Sequence, residues 1–382
     1  MTQMKSKSTD PGNNQTHSPI PNSSGIDLDS GHSCSKTAFA WAKKTFSNRA
    51  GLFGSSALEI DGAFCNIMKY GDSYIGMTSD GIGTKVEIAE RVGDYSTLGY
   101  DLTAMVTDDL IANGVEPANL TNILDVDSLD HSIVEELMKG LYEAANFAGI
   151  SVTGGEIAEL GSRIGGWGKC MHFNWCATAI GFVPPGRKPI TGATAISPGD
   201  HIIALKSRGF RSNGFSMIRK ILSGKFGEDW HLNNFAESKS WGRVLLTPSL
   251  IYSPGILKLF GKRIDVNGIA HITGGGIPDN LGRILKYKGL GAYLDNVFEP
   301  HDFMIELQRL GKIEDEQAYR LWNMGNGMLL IVSPQSASKA LEALIESGYT
   351  ARVCGSILSE PGVKIRSCGA FPRELFYAKS GK

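Results

Sequence analysis

Two spacings of apolar residues alternate along the chain, and each change of spacing marks a change of element. From 63 to 78 apolar and polar positions alternate loosely around Tyr70-Gly71-Asp72-Ser73, which predicts a strand, a turn and a second strand ending near Met77. Upstream, Phe39 and Phe46 lie seven apart with Lys43 and Lys44 on the polar side, predicting a helix over 35–46. Val86, Ile88, Ala89 and Val92 also fall at helical intervals, and a further helix is predicted over 98–113. A strand over 121–126 precedes 132–148, where Ile133, Leu137, Leu141, Ala144 and Ala145 share a helical face that stops at Gly149. A short strand over 150–153 runs into Gly154-Gly155-Glu156, and 171–183 reads as another.

Pro184-Pro185-Gly186 and Pro198-Gly199-Asp200 then interrupt the pattern, which places a domain boundary near residue 190. The second half resumes with a strand over 201–205 and helices over 214–222 and 248–260. A strand over 268–272 leads through three glycines into a helix ending at Leu285. Next come a strand over 328–332, a helix over 336–347 and a final strand over 351–357. Strands and helices interleave in both halves, so the class is α/β or α+β, in two domains over 25–190 and 191–382, with the connectivity left open. Residues 1–24 hold almost nothing to bury and are expected to form a disordered leader.

Composition sharpens this picture in three ways. Lys plus Arg number 38 against 39 Asp plus Glu, a net charge of −1, which argues against a general nucleic-acid binder. No apolar run approaches the ~18 residues of a membrane helix, the N-terminus has no apolar signal core, and six dispersed cysteines read as reduced thiols, so a cytoplasmic protein is expected. Glycines number 47, where the usual share of roughly 7% would give about 27. They cluster, and the clusters carry the candidate chemistry.

The first is Thr78-Ser79-Asp80-Gly81-Ile82-Gly83-Thr84-Lys85, between a strand and a helix. Its glycines let backbone approach an anion, the helix start offers free N–H groups, and Lys85 adds charge. An aspartate there repels phosphate unless a cation intervenes, so Asp80 points to Mg²⁺; a tight turn capped by Asp80 is the alternative. The second is Asp108-Asp109 in an otherwise apolar helix, costly to bury without a cation or donors unless that face turns to water. Glu156 after Gly154-Gly155 is the third, and Asp80, Asp109 and Glu156 make a candidate metal set.

In the second half Ser212-Asn213-Gly214 opens a helix just after Arg208 and Arg211, which fits either an anion site or a plain cap beside exposed arginines. His271 heads Thr273-Gly274-Gly275-Gly276, a second phosphate-type loop, and Asn323-Met324-Gly325-Asn326-Gly327 is a further close-approach turn. His271 is a general acid–base or a structural hydrogen-bonder. Cys170, His172 and Cys176 lack an evident fourth ligand for zinc.

Taken in order, these segments resemble the phosphoribosylformylglycinamidine cyclo-ligase (aminoimidazole ribonucleotide synthetase) family. The resemblance runs from about 25 to 357. It includes Gly25–Gly31, the Asp80–Lys85 loop, Asp109-Leu110 with Gly114-Val115-Glu116-Pro117, Gly154-Gly155-Glu156, Ser212-Asn213-Gly214, 271–276 and 323–328. It implies an N-terminal domain whose sheet closes a barrel with that of a second copy, a C-terminal α/β sandwich, and an active site between the domains. It further implies ATP as co-substrate, Mg²⁺ held by Asp80, Asp109 and Glu156, with K⁺ left open, and formylglycinamidine ribonucleotide as the small-molecule substrate of a homodimer.

On that resemblance Gly81, Gly83, Thr84, Lys85, Asp108, Gly154 and Gly155 would line the nucleotide. Ser212, Asn213, Gly214, Thr273, Gly274, Gly275 and Asn323 would line nucleotide or substrate, with Lys85, Arg211, Asn213 and His271 at the chemistry. The chain departs from the family pattern at Arg211, where histidine is common, at Asp108, where asparagine is common, at Leu250, which replaces an arginine, and over 160–163. Those departures keep two other readings in play: a related enzyme phosphorylating another acceptor, and a non-catalytic nucleotide-binding dimer.

Overall fold

The computed structural model describes residues 28–378 apart from 56, 59, 61, 193, 194 and 237, with side chains from residue 33 onward; the expected leader over 1–24 lies outside the described residues. Strands β1 (Asn66–Tyr70), β2 (Ser73–Gly81), β3 (Glu116–Val126), β4 (Ser151–Glu159) and β5 (Phe173–Val183) form a sheet ordered β1-β2-β5-β3-β4. Only β3 and β4 run parallel, joined by the helix His131–Ala148, whose N-terminus is capped by Asp130 and whose end is the left-handed Gly149. The sheet is open within one chain. Among the described residues its β4 edge pairs only with β3, and it is exposed along almost its whole length.

After β6 (His201–Lys206) comes a two-stranded ribbon, β7 (Asn234–Ala236) with β8 (Lys239–Ser240). Then follow β9 (Gly268–His271), β10 (Gly291–Leu294), β11 (Asn326–Val332), β12 (Ala351–Leu358), β13 (Gly362–Arg366) and β14 (Glu374–Tyr377). β6 and β9 to β14 build a seven-stranded mixed sheet ordered β14-β13-β10-β12-β6-β11-β9. Strands β10, β13 and β14 and the helices Asp302–Gly311 and Asp315–Leu321 go beyond the expected elements. The helix expected over 248–260 begins only at Ser253, because the backbone N–H groups of Tyr252 and Ser253 are turned onto Asp108.

One helix links the two halves. Leu98–Ala112 is buried on every side except at Tyr100 and Asp109, as expected for a helix enclosed between layers rather than lying on a surface. It crosses the helix His131–Ala148 so tightly that a Cβ on Gly99 would stand 2.2 Å from the backbone of Gly140. One side meets β2 and β5, while its C-terminal half meets β9 and the helix Ser253–Gly261. The acidic pair Asp108-Asp109 is thereby carried to the junction of the two sheets.

Candidate active site

Register across the first sheet sorts the acidic residues. Asp80 pairs with Ala177, and Ala177 with Asn122, both buried against the helices, so Asp80 faces inward. Glu156 pairs with Ile123, and Ile123 with Cys176, on the opposite face. It stands three strands from Asp80, about 14 Å along the sheet. The expected trio is therefore not assembled within one chain, and among the described residues no three His, Cys, Asp or Glu side chains converge as a metal-binding group. Gly155 has a packing reason: a Cβ there would meet the Asn122 carbonyl at 2.7 Å.

Asp80 and Asp109 do come together. Burial raises the Asp80 carboxyl to about 6, against the Gly81 N–H that it accepts at 2.7 Å and with the charge of Asp109 adding to the rise. Burial likewise raises Asp109 to about 7, opposed by the charges of Arg283 and Arg211 and by a hydrogen bond from Thr78. Two acids forced out of water side by side call for a cation, and hard oxygen ligands of this kind suit Mg²⁺. Arg283 is a participant that motif reading missed, and Thr78, which opens the first motif, is given no role by it. Arg283 lies two turns into the helix behind the glycine loop, donates to the Ala63 carbonyl at 2.8 Å and packs over Phe64.

Behind this pair runs a buried chain of hydrogen bonds. Arg211 Nη2 reaches Asp108 Oδ2 at 2.8 Å and His271 Nε2 at 2.8 Å, and Nη1 donates to the Leu250 carbonyl at 3.0 Å. A guanidinium only donates, so His271 Nε2 accepts and its proton sits on Nδ1, directed at Asp109 Oδ1 2.7 Å away. His271 is fully buried, and desolvation with the Arg211 charge lowers it to about 3, so it stays neutral. Asp108 Oδ1 takes the N–H groups of Tyr252 (2.9 Å) and Ser253 (3.1 Å). Arg211 itself adopts a φ of 61°, an uncommon conformation for a non-glycine residue, held by these anchors. The two departures at 108 and 211 are thus partners in one ion pair.

Other candidates are placed differently. Lys85 is fully buried, its ammonium paired with Asp101 (2.7 Å) and donating to the Thr247 carbonyl (2.7 Å), so it ties its loop to the C-terminal domain and its charge is taken up inside the protein. Asn323 is equally engaged: it accepts from Ser207 Oγ and the Gly325 N–H and donates to the Gly209 carbonyl. The glycine loops do meet one another. A Cβ on Gly83 would stand 3.7 Å from the Ser212 carbonyl and one on Gly274 3.5 Å from Asn213 Oδ1, while Thr84 Oγ1 lies 3.4 Å from Ser216 Oγ. Gly214 and Gly275, at φ 81° and 88°, head the two helices that follow. Among the described residues Ser212 Oγ and Asn213 Nδ2 are buried and have no partner, which suits ligand contacts.

The two halves of the fold match the two domains of one protein class: residues 61–183 match the AIR synthase related protein N-terminal domain, and 197–367 its C-terminal domain. A cyclo-ligase of Thermococcus kodakarensis, named phosphoribosylformylglycinamidine cyclo-ligase, is 36% identical over 345 residues, 90% of this chain and 97% of that protein. The equally named protein of Thermoanaerobacter pseudethanolicus is 34% identical over 348 residues, 88% of this chain and 97% of its own. The chain belongs to the phosphoribosylformylglycinamidine cyclo-ligase family, and it is an enzyme of that ATP-dependent ligase type. Among solved structures, the HypE–HypF complex gives a TM-score of 0.59 at 17% identity, covering 89% of this chain and 99% of that one. AaThiL complexed with AMPPCP and TMP gives 0.54 at 15%, covering 84% and 92%. At those identities the likeness concerns the fold.

Proposed function

We propose that Asp80 and Asp109, with the glycine loops around them, form the reaction centre for ATP-dependent closure of formylglycinamidine ribonucleotide to aminoimidazole ribonucleotide, releasing ADP and phosphate, in purine biosynthesis. The observation that carries this reading is the carboxylate pair at the domain junction, both members held far above the usual carboxylate range, beside loops whose Ser212 and Asn213 polar atoms lack partners among the described residues. The formyl amide oxygen of the substrate is a poor leaving group. Transfer of the γ-phosphoryl of ATP to it creates an iminophosphate, the amidine nitrogen attacks that carbon, and phosphate leaves as the ring closes. Such chemistry needs positioning and charge neutralisation and no covalent protein nucleophile.

Asp80 and Asp109 would hold Mg²⁺, which when bound neutralises phosphate charge. The Gly81–Thr84 and Ser212–Gly214 backbones and the Asn213 amide bind and orient the nucleotide and the phosphoryl group. His271 keeps its Nδ1 proton on Asp109, and Asp108 and Arg211 fix that tautomer, so these three act as positioning residues. The first sheet supports a homodimer. Its outward face exposes Met77, Ile123 and Phe182, and the β4 edge adds Val152 and Ile157, a combination that a second copy would cover. Among the described residues no helix is long and apolar enough to cross a membrane, and the cytoplasm is the proposed location. The test is Asp80→Asn: phosphate release and ring closure should fall at least about a hundredfold with the fold retained, since the pair would lose a ligand charge. Near-normal kinetics would refute the assignment.

A further inference from the structure

A second cavity, outside that centre, has a distinct chemistry. It holds about 870 Å³ and opens between the end of β6, the segment 243–250 and residues 301–303. That volume lies within the range of small-molecule sites. Lys206, Arg208, Lys239 and Arg243 line it, and no aspartate or glutamate is among its described lining residues. Arg243 is already paired with Asp94 at 2.6 Å. The charged heads of Lys206 and Arg208 form no ion pair or hydrogen bond among the described residues, although Lys206 Nζ lies 5.8 Å from the centre of the Phe298 ring and its charge is felt by Glu299.

Cations gathered around one cavity whose described lining holds no carboxylate repel one another, and a ligand carrying a compact double negative charge relieves that repulsion. The remaining walls mix apolar Phe235, Val244, Leu250 and Phe303 with polar Ser207, Ser238, Thr247 and Thr350. His301 donates from Nε2 to the Ser207 carbonyl at 2.8 Å and stacks on Phe303 with ring centres 5.1 Å apart and planes within 4°, which offers a surface for a ring. Leu250 forms the wall shared with the reaction centre, since its carbonyl takes Arg211 Nη1.

We propose that this cavity is a binding site for a phosphate monoester on a sugar ring, with Arg208 and Lys206 as its cationic ligands. The proposed activity enters only in deciding where that phosphate comes from, because formylglycinamidine ribonucleotide carries one and a separately bound phosphosugar carries the same group. The first measurement is calorimetric titration of the full chain with ribose 5-phosphate and with ribose. Binding of the phosphate ester alone is expected, weakened about 10- to 100-fold in Arg208→Ala and in Lys206→Met, the loss of one charge-assisted hydrogen bond each. Equal binding of ribose, or unchanged affinity in both variants with wild-type melting behaviour, would overturn the site.

Steady-state kinetics then separate the sources. A higher KM for formylglycinamidine ribonucleotide in Arg208→Ala, with kcat and the KM for ATP unchanged, identifies the substrate's own phosphate. An unchanged KM beside lost ribose 5-phosphate binding identifies a separate phosphosugar. A rise confined to the KM for ATP would contradict the monoester assignment. Titration requires no turnover, so failure of the cyclo-ligase reading would leave the binding result standing.

Discussion

Asp108→Asn isolates the buried pair that distinguishes this chain from its family pattern. The substitution keeps an oxygen for the Tyr252 and Ser253 N–H groups but leaves Arg211, 1% exposed, without its counter-ion. At an effective dielectric of about 20, unit charges about 4 Å apart interact by about 4 kcal/mol, and breaking a buried pair from one side costs about 3–5 kcal/mol. Arg211→His alone should cost a similar amount, because Asp108 would then be the buried charge left over. Replacing both at once, Asp108→Asn with Arg211→His, removes both charges and should bring the protein back to within about 1–2 kcal/mol of wild type, since a neutral hydrogen-bonded pair has no desolvated charge to compensate. Urea unfolding followed by fluorescence of the buried Trp175, Trp241 and Trp322 gives the four corners of the cycle. Additive single effects, with a coupling below about 0.5 kcal/mol, would refute the claim that the two departures form one unit.

Two further outcomes are expected. In metal-free buffer Asp80→Asn should be more heat-stable than wild type at pH 8, with the advantage fading toward pH 4. The native Asp80 carboxyl, raised to about 6, holds its proton more tightly than the unfolded one, so its contribution to stability is complete at low pH and lost as pH rises through 6. Comparing the variant with wild type cancels the opposite trend from His271, whose lowered value makes the fold weaker as pH falls below about 6.5. A pH-independent difference in melting temperature would count against the buried-carboxylate account. Phe182→Asp, which places a charge on the exposed sheet face, should shift the protein from dimer to monomer in light scattering; a monomeric wild type would remove the basis of that proposal.

Much of the fold follows from local spacing. The strand–turn–strand around Gly71 and the helices Val86–Val92 and His131–Ala148 each carry their own periodicity and stop signals, while Leu98–Ala112 is marked by its long apolar run ending at Asn113-Gly114. β13 and β14 do not, because they are short and depend on pairing with β10 and with each other. In the site, Asp80 and Asp109 could be singled out because acids beside glycine or inside an apolar helix are unusual. Glu156 shows the limit of that logic. A one-residue alternation decides which face of a sheet it occupies, and only the register with β3 fixes it. Lys85 and Asn323 sit in the right motifs, yet Asp101 on the next long helix and Thr247, Ser207 and Gly209, far away in sequence, take up their polar groups. The pairing of Asp108 with Arg211, 103 residues apart, has no local signature at all.

The most direct test of the central claim is phosphate release from Mg·ATP by the purified protein, with and without formylglycinamidine ribonucleotide, measured together with the aminoimidazole product. Phosphate and product formed in equal amounts, only when the ribonucleotide is present, are the result predicted. ATP binding with no stimulation by the ribonucleotide and no aminoimidazole product would contradict it.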